Sequence, residues 1–157
     1  MKKLLFACLL LLWGGVAAAG SPLFKAEVEA PMPKVYQALY QALENQRLWV
    51  VFEADLGGTI AGMAERLGEN YNRNGLQGMR ALVTCNAWYA NEVSNHDPDM
   101  LALCPLRVAV THKDGKTRML FARPSLHAQG SPALPVIEEV EKLVIDAIEA
   151  AAKQAAN

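Results

Sequence analysis

Two alternating runs joined by Lys113-Asp114-Gly115-Lys116 constrain the fold of this chain more than any other feature. Leu106, Val108 and Val110 alternate with Arg107, Ala109 and Thr111, and beyond the turn Met119 and Phe121 carry on the same period of two. That period sends successive side chains to opposite faces of a strand, and Asp-Gly tolerates the positive φ angles of a tight hairpin turn. An antiparallel sheet with one buried face follows. At the C-terminus Val136, Val140, Leu143, Val144, Ala147, Ile148 and Ala151 recur at helical spacing, which predicts a long amphipathic helix.

The rest of the chain supplies further elements of both kinds. Phe24, Ala26 and Val28 alternate with Lys25, Glu27 and Glu29, predicting a first strand; from Met32 the period changes and Val35, Leu39, Ala42 and Leu43 predict a helix to about Gln46. Leu48 to about Asp55 is rich in β-branched and aromatic residues and reads as a second strand, buried on both faces in part. After Gly57-Gly58 a short helix is expected, ending before Gly68, then a polar loop over Asn70 to Gly78 and a third strand over Met79 to Cys85. Asn86 is placed to cap a short helix from Ala87 to Asn95, and Asp97-Pro98 marks its exit. Arg123 to Pro135 reads as a connector. The segregated order of strands and helices predicts an α+β fold: a mostly antiparallel sheet covered on one face by helices.

The front of the chain bounds its destination. Lys2 and Lys3, the apolar run from Leu4 to Trp13 and the small residues ending in Ala17-Ala18-Ala19 form a secretory signal peptide over residues 1–19, with cleavage expected after Ala19. The run is shorter than the ~20 residues that span a bilayer, so no membrane anchor is expected to remain. A periplasmic or secreted protein is predicted, with residues 20–157 forming one domain of about 138 residues. Loss of Lys2 and Lys3 takes the fifteen basic residues to thirteen against sixteen acids, a formal charge near minus three. Because the seven arginines are scattered singly from Arg47 to Arg123, no basic patch and no nucleic-acid partner are expected.

The segment Leu82-Val83-Thr84-Cys85-Asn86, the short polar helix after it, Asp97-Pro98, and Leu103-Cys104-Pro105-Leu106-Arg107-Val108 leading into the hairpin together resemble a known family, the bacterial and archaeal domain of unknown function 302. The resemblance runs from about Phe24 to Ala151 and is most specific from Leu82 to Pro124. It implies an α+β fold similar to the TATA-binding-protein topology, and pairing as a homodimer. No activity comes with it. Asn86-Ala87 stands where the family usually has Asn-Pro, which loosens the helix entry and leaves the cap.

Three groups of residues could carry function. Cys85 and Cys104, the two cysteines of the exported chain, are expected either as a disulfide, worth about 3 kcal/mol for a loop of about twenty residues, or as buried thiols. The bridge requires the strands that end at Cys85 and begin after Cys104 to be antiparallel neighbours. No Cys-x-x-Cys is present to lower a thiol pKa for redox work. His96, Met100 and Cys104 crowd one segment and offer imidazole, thioether and thiolate, a set that would suit copper as the alternative to having no cofactor. Asn86, Trp88 and Tyr89 at a strand-to-helix junction, with Pro105 and Arg107 at the strand entry, are the expected ligand-binding residues, because a helix N-terminus offers amides to an anion and aromatics can wall a pocket. Glu27 and Glu29 read as a solvated strand face. No nucleophile and base occur in a recognisable motif, so the expected function is a non-enzymatic ligand-binding or protein-interaction module, with a thiol- or copper-dependent redox protein as the alternative.

Overall fold

The computed structural model describes residues 21–157, and the expected signal peptide therefore lies outside the described residues. The chain runs β1 (Leu23–Val28), α1 (Met32–Asn45), β2 (Trp49–Asp55), α2 (Leu56–Ala61), α3 (Ala64–Leu67), β3 (Gly78–Cys85), α4 (Ala87–His96), β4 (Leu106–Lys113), β5 (Lys116–Ala122) and α5 (Leu134–Ala156). The strands make one sheet in the order β1-β5-β4-β3-β2, with every neighbouring pair antiparallel. Asp114 at φ 49° and Gly115 at φ 77° close the β4–β5 hairpin, both in the left-handed region that a two-residue turn between twisted strands demands.

The long helices α1 and α5 pack on each other, and both face one side of the sheet. Their apolar stripes supply Val35, Leu39, Leu43, Val144, Ala147 and Ile148, which close with Val108, Val110, Met119 and Phe121 of the hairpin into a core of negligible solvent exposure. Burying a Leu or Phe side chain contributes about 1.5–3 kcal/mol, so this single layer of contacts fixes which face of the sheet is inside. A smaller cluster of Val93, Ala128, Ala133 and Ile137 ties α4 to the connector before α5.

Three local expectations are revised. β2 is not partly buried on both faces: its register shifts between Val50 and Phe52, and Trp49, Val51 and Phe52 are 52, 59 and 62% exposed. The bulge puts two residues of β2 opposite one of β3, which turns Glu53 toward the helix side and leaves an apolar edge outside. The single helix expected after Gly57-Gly58 is two short ones, broken at Gly62 and Met63. α5 begins at Leu134 instead of after Pro135, because a proline in the first turn sacrifices an amide that has no helical partner anyway.

Candidate functional site

At one end of the sheet, the chain passes from β3 into α4 beside the entry to β4, and this junction gathers most of the predicted site residues. Asn86 caps α4 with its side chain: Oδ1 accepts from the amides of Trp88 at 2.9 Å and Tyr89 at 3.3 Å. Its Nδ2 donates to the carbonyl of Arg47 at 2.9 Å, stitching the α1–β2 turn to the same spot. The amides expected to hold an anion are thus already engaged by the cap. Tyr89 donates its hydroxyl to Glu139 at 2.6 Å, and burial followed by this carboxylate pushes its pKa up to about 12. Trp88 packs edge-on against Tyr89 with ring centroids 4.8 Å apart, but it is 57% exposed and stands outside the junction.

Behind the cap lies a narrow apolar cavity of about 20 Å³, walled by Cys85, Asn86, Tyr89, Met100, Cys104 and Pro105 with core residues behind them. A space of that size holds about one water molecule and no organic ligand. Cys85 sits one position beyond the Thr84–Leu106 pair of β3 and β4, and Cys104 two positions before it, so the antiparallel geometry required for a bridge is met. Both are unlinked thiols in this structure, half-buried on the shared wall. Burial, and then the neighbouring Cys85, raises the Cys104 pKa above the usual thiol value, which keeps it protonated and a poor nucleophile.

The predicted sets are divided by the fold. Asn86, Tyr89 and Pro105 wall the cavity, whereas Arg107 projects from the opposite face of β4 and lines a separate, open trough together with Pro105. Met100 and Cys104 meet at the cavity, but His96 is exposed at the end of α4 and donates Nδ1 to the Glu92 carbonyl at 2.7 Å. Among the described residues no three His, Cys, Asp or Glu side chains converge on a common point where a metal could sit. Glu27 is engaged by Arg118 at 2.6 Å and Lys116 at 3.3 Å, and these bases hold its carboxyl below the usual range.

The face of the sheet turned away from the helices gathers charges that stand far apart in the chain. The alternation along β1, β5 and β4 sends Lys25, Lys116, Arg118, Arg107 and Lys113 to this side, with Glu27 among them and Glu29 at the rim. Their floor is apolar: Leu23, Leu120 and Ala109. Two open troughs, of about 630 and 760 Å³, share Leu23 and Leu120 and so form one groove. The loop bearing Asn74 and Leu76 bounds it at one end, and Leu103, Pro105 and His127 at the other. Sequence reasoning missed it because charges were read along the chain; the signal was the period of two, which puts every second residue of three adjacent strands together.

An entirely antiparallel five-stranded sheet with helices on one side, ending in a long helix, defines the class as an α+β protein of one-sided sheet. Residues 24–151 match the model of the family described as domain of unknown function DUF302, and the chain belongs to that family. A solved structure, the uncharacterized conserved protein DUF302 from Bacillus stearothermophilus, is similar at a TM-score of 0.69 and 17% identity, covering 86% of this chain and 98% of that one. This likeness establishes the fold. No curated protein sequence matches the chain.

Proposed function

We propose that the chain is an exported, non-enzymatic interaction module, acting in the periplasm or outside the cell as a homodimer. The observation that carries this reading is the contrast between its two candidate sites. The junction around Asn86 has room for about one water, while the sheet face away from the helices offers an open groove lined by apolar and charged side chains. A surface of that kind suits a macromolecular partner better than a small ligand. The exposed apolar edge at β2 supports pairing with a second copy, since an edge strand carries unpaired backbone groups along its outer side.

An oxidising compartment would convert the Cys85 and Cys104 thiols to a disulfide, releasing two protons and passing two electrons to a disulfide-class oxidant. The shared cavity wall favours this structural use over a catalytic thiol, because Cys104 is driven toward its protonated form. Native mass spectrometry of the protein recovered from the periplasm without reductant tests the proposal. A dimer of chains beginning at Gly20, each two hydrogens lighter than the dithiol and carrying no ligand, is the expected result. Retained copper, or a retained organic molecule, would give the function to the redox or small-ligand reading.

A further inference from the structure

The charge on the open groove narrows the class of partner. The chain as a whole is acidic, formally −1 with its leader, yet Lys25, Arg107, Lys113, Lys116 and Arg118 concentrate on this one face of β1, β5 and β4. Lys116 and Arg118 are neutralised by Glu27, and Lys116 also by Glu29 at the rim. Lys113 donates to the Asn74 carbonyl at 2.7 Å. Lys25 and Arg107 make no ion pair among the described residues, and they flank the apolar floor of Leu23, Leu120 and Ala109 on either side of β5.

From this arrangement we infer that the groove is a docking site for an acidic amphipathic protein segment, whose apolar side seats on Leu23 and Leu120 and whose carboxylates meet Lys25 and Arg107. Three competing occupants fit less well. A second copy seated face to face would oppose like charges across a two-fold axis, which suppresses association. Nucleic acid is held by many phosphate contacts, on the order of 6–10, whereas here two cations are unpaired and the floor between them is apolar. A bilayer surface is broad and flat, while this face is a groove bounded at both ends.

The inference rests on the interaction-module reading and specifies its partner. It is tested with the protein expressed with its own leader and recovered from the periplasm, titrated into a fluorescent sixteen-residue peptide with Leu at positions i, i+3, i+4 and i+7 and Glu elsewhere. Saturable binding that weakens as NaCl rises from about 50 to about 500 mM is expected, as is loss of about tenfold or more in affinity for K25E/R107E with an unchanged melting temperature. The same peptide with Lys in place of Glu should not bind. Equal affinity for both peptides, or an affinity that ignores K25E/R107E, overturns the inference. Binding of duplex DNA or of phosphatidylglycerol vesicles lost in K25E/R107E, with no peptide binding, assigns the groove to that partner and also overturns it. Dissociation of a dimer by K25E/R107E gives the groove to a second copy, with the same consequence. Each of these failures would leave the native mass spectrum unchanged, apart from the last, so failure here is distinguishable from failure of the module reading.

Discussion

Single residues at the β3–α4 junction tie it to the turn between α1 and β2. Arg47 adopts φ 59°, a left-handed conformation that costs an L-residue about 1–2 kcal/mol, and the Asn86 amide fixes its carbonyl. Arg47→Gly is therefore expected to raise stability by about 1 kcal/mol in urea denaturation. Asn86→Ala removes the helix cap and this tie together, lowering stability by about 1–2 kcal/mol in the same measurement. Glu141, buried in the middle of the apolar stripe of α5, accepts from Arg123 Nε at 2.6 Å and the Ser125 amide at 3.0 Å. Glu141→Ala strands both donors and should cost about 1–3 kcal/mol, discounted because Arg123 is about a third exposed. Tyr89 carries a pH signature. Its folded pKa, pushed up to about 12, exceeds the unfolded value near 10, so the neutral phenol stabilises the fold below about pH 10 and this contribution is lost as pH rises toward 12. The difference in stability between the wild type and Tyr89→Phe should shrink over that range, and a pH-independent difference would contradict it. The cap at Asn86 was legible from residue type and position. Glu141 was not, because a lone carboxylate in a helical stripe gives no sign of the arginine eighteen residues upstream in the chain that meets it.

At the level of elements, what was legible followed from strong periodicity. The hairpin and α5 announce themselves through unbroken patterns, and α1 and β3 begin and end close to where their patterns do. β2 departed from its reading because a bulge resets the alternation, and nothing in Trp49-Val50-Val51-Phe52 marks which residue will be the extra one. The helix after Gly57-Gly58 is broken at Gly62, where glycine costs about 1 kcal/mol in a helix, and neither piece buries a residue that would offset that cost. The edge at β2 also makes a prediction of its own. Under the proposed pairing through β2, Phe52→Glu, on a side chain that contributes little to the core, should leave a monomer where the wild type runs as a dimer, with the melting temperature nearly unchanged, as read by light scattering after size exclusion.

The whole molecule is polarised: helices and the core on one side of the sheet, bases over an apolar groove on the other. This organisation was present in the sequence as alternation, since Lys25, Arg107, Lys113, Lys116 and Arg118 all fall on the outward parity of their strands, but it required the strand order to bring them together. Of the candidate ligand set, Asn86, Tyr89 and Pro105 meet at a junction of elements, while Trp88 and Arg107 stand apart from it. The capacity of that junction was not legible, because cavity volume is set by the packing of distant residues such as Leu48 and Ile137. The account rests on function residing in the groove and not at that junction. Nitrogen-15 amide shifts of the protein, followed during titration with the acidic amphipathic peptide, test this directly. The account predicts that the amides of Lys25, Arg107, Ala109 and Leu120 move together and saturate. Movement confined to Asn86, Tyr89 and Cys104 would contradict it.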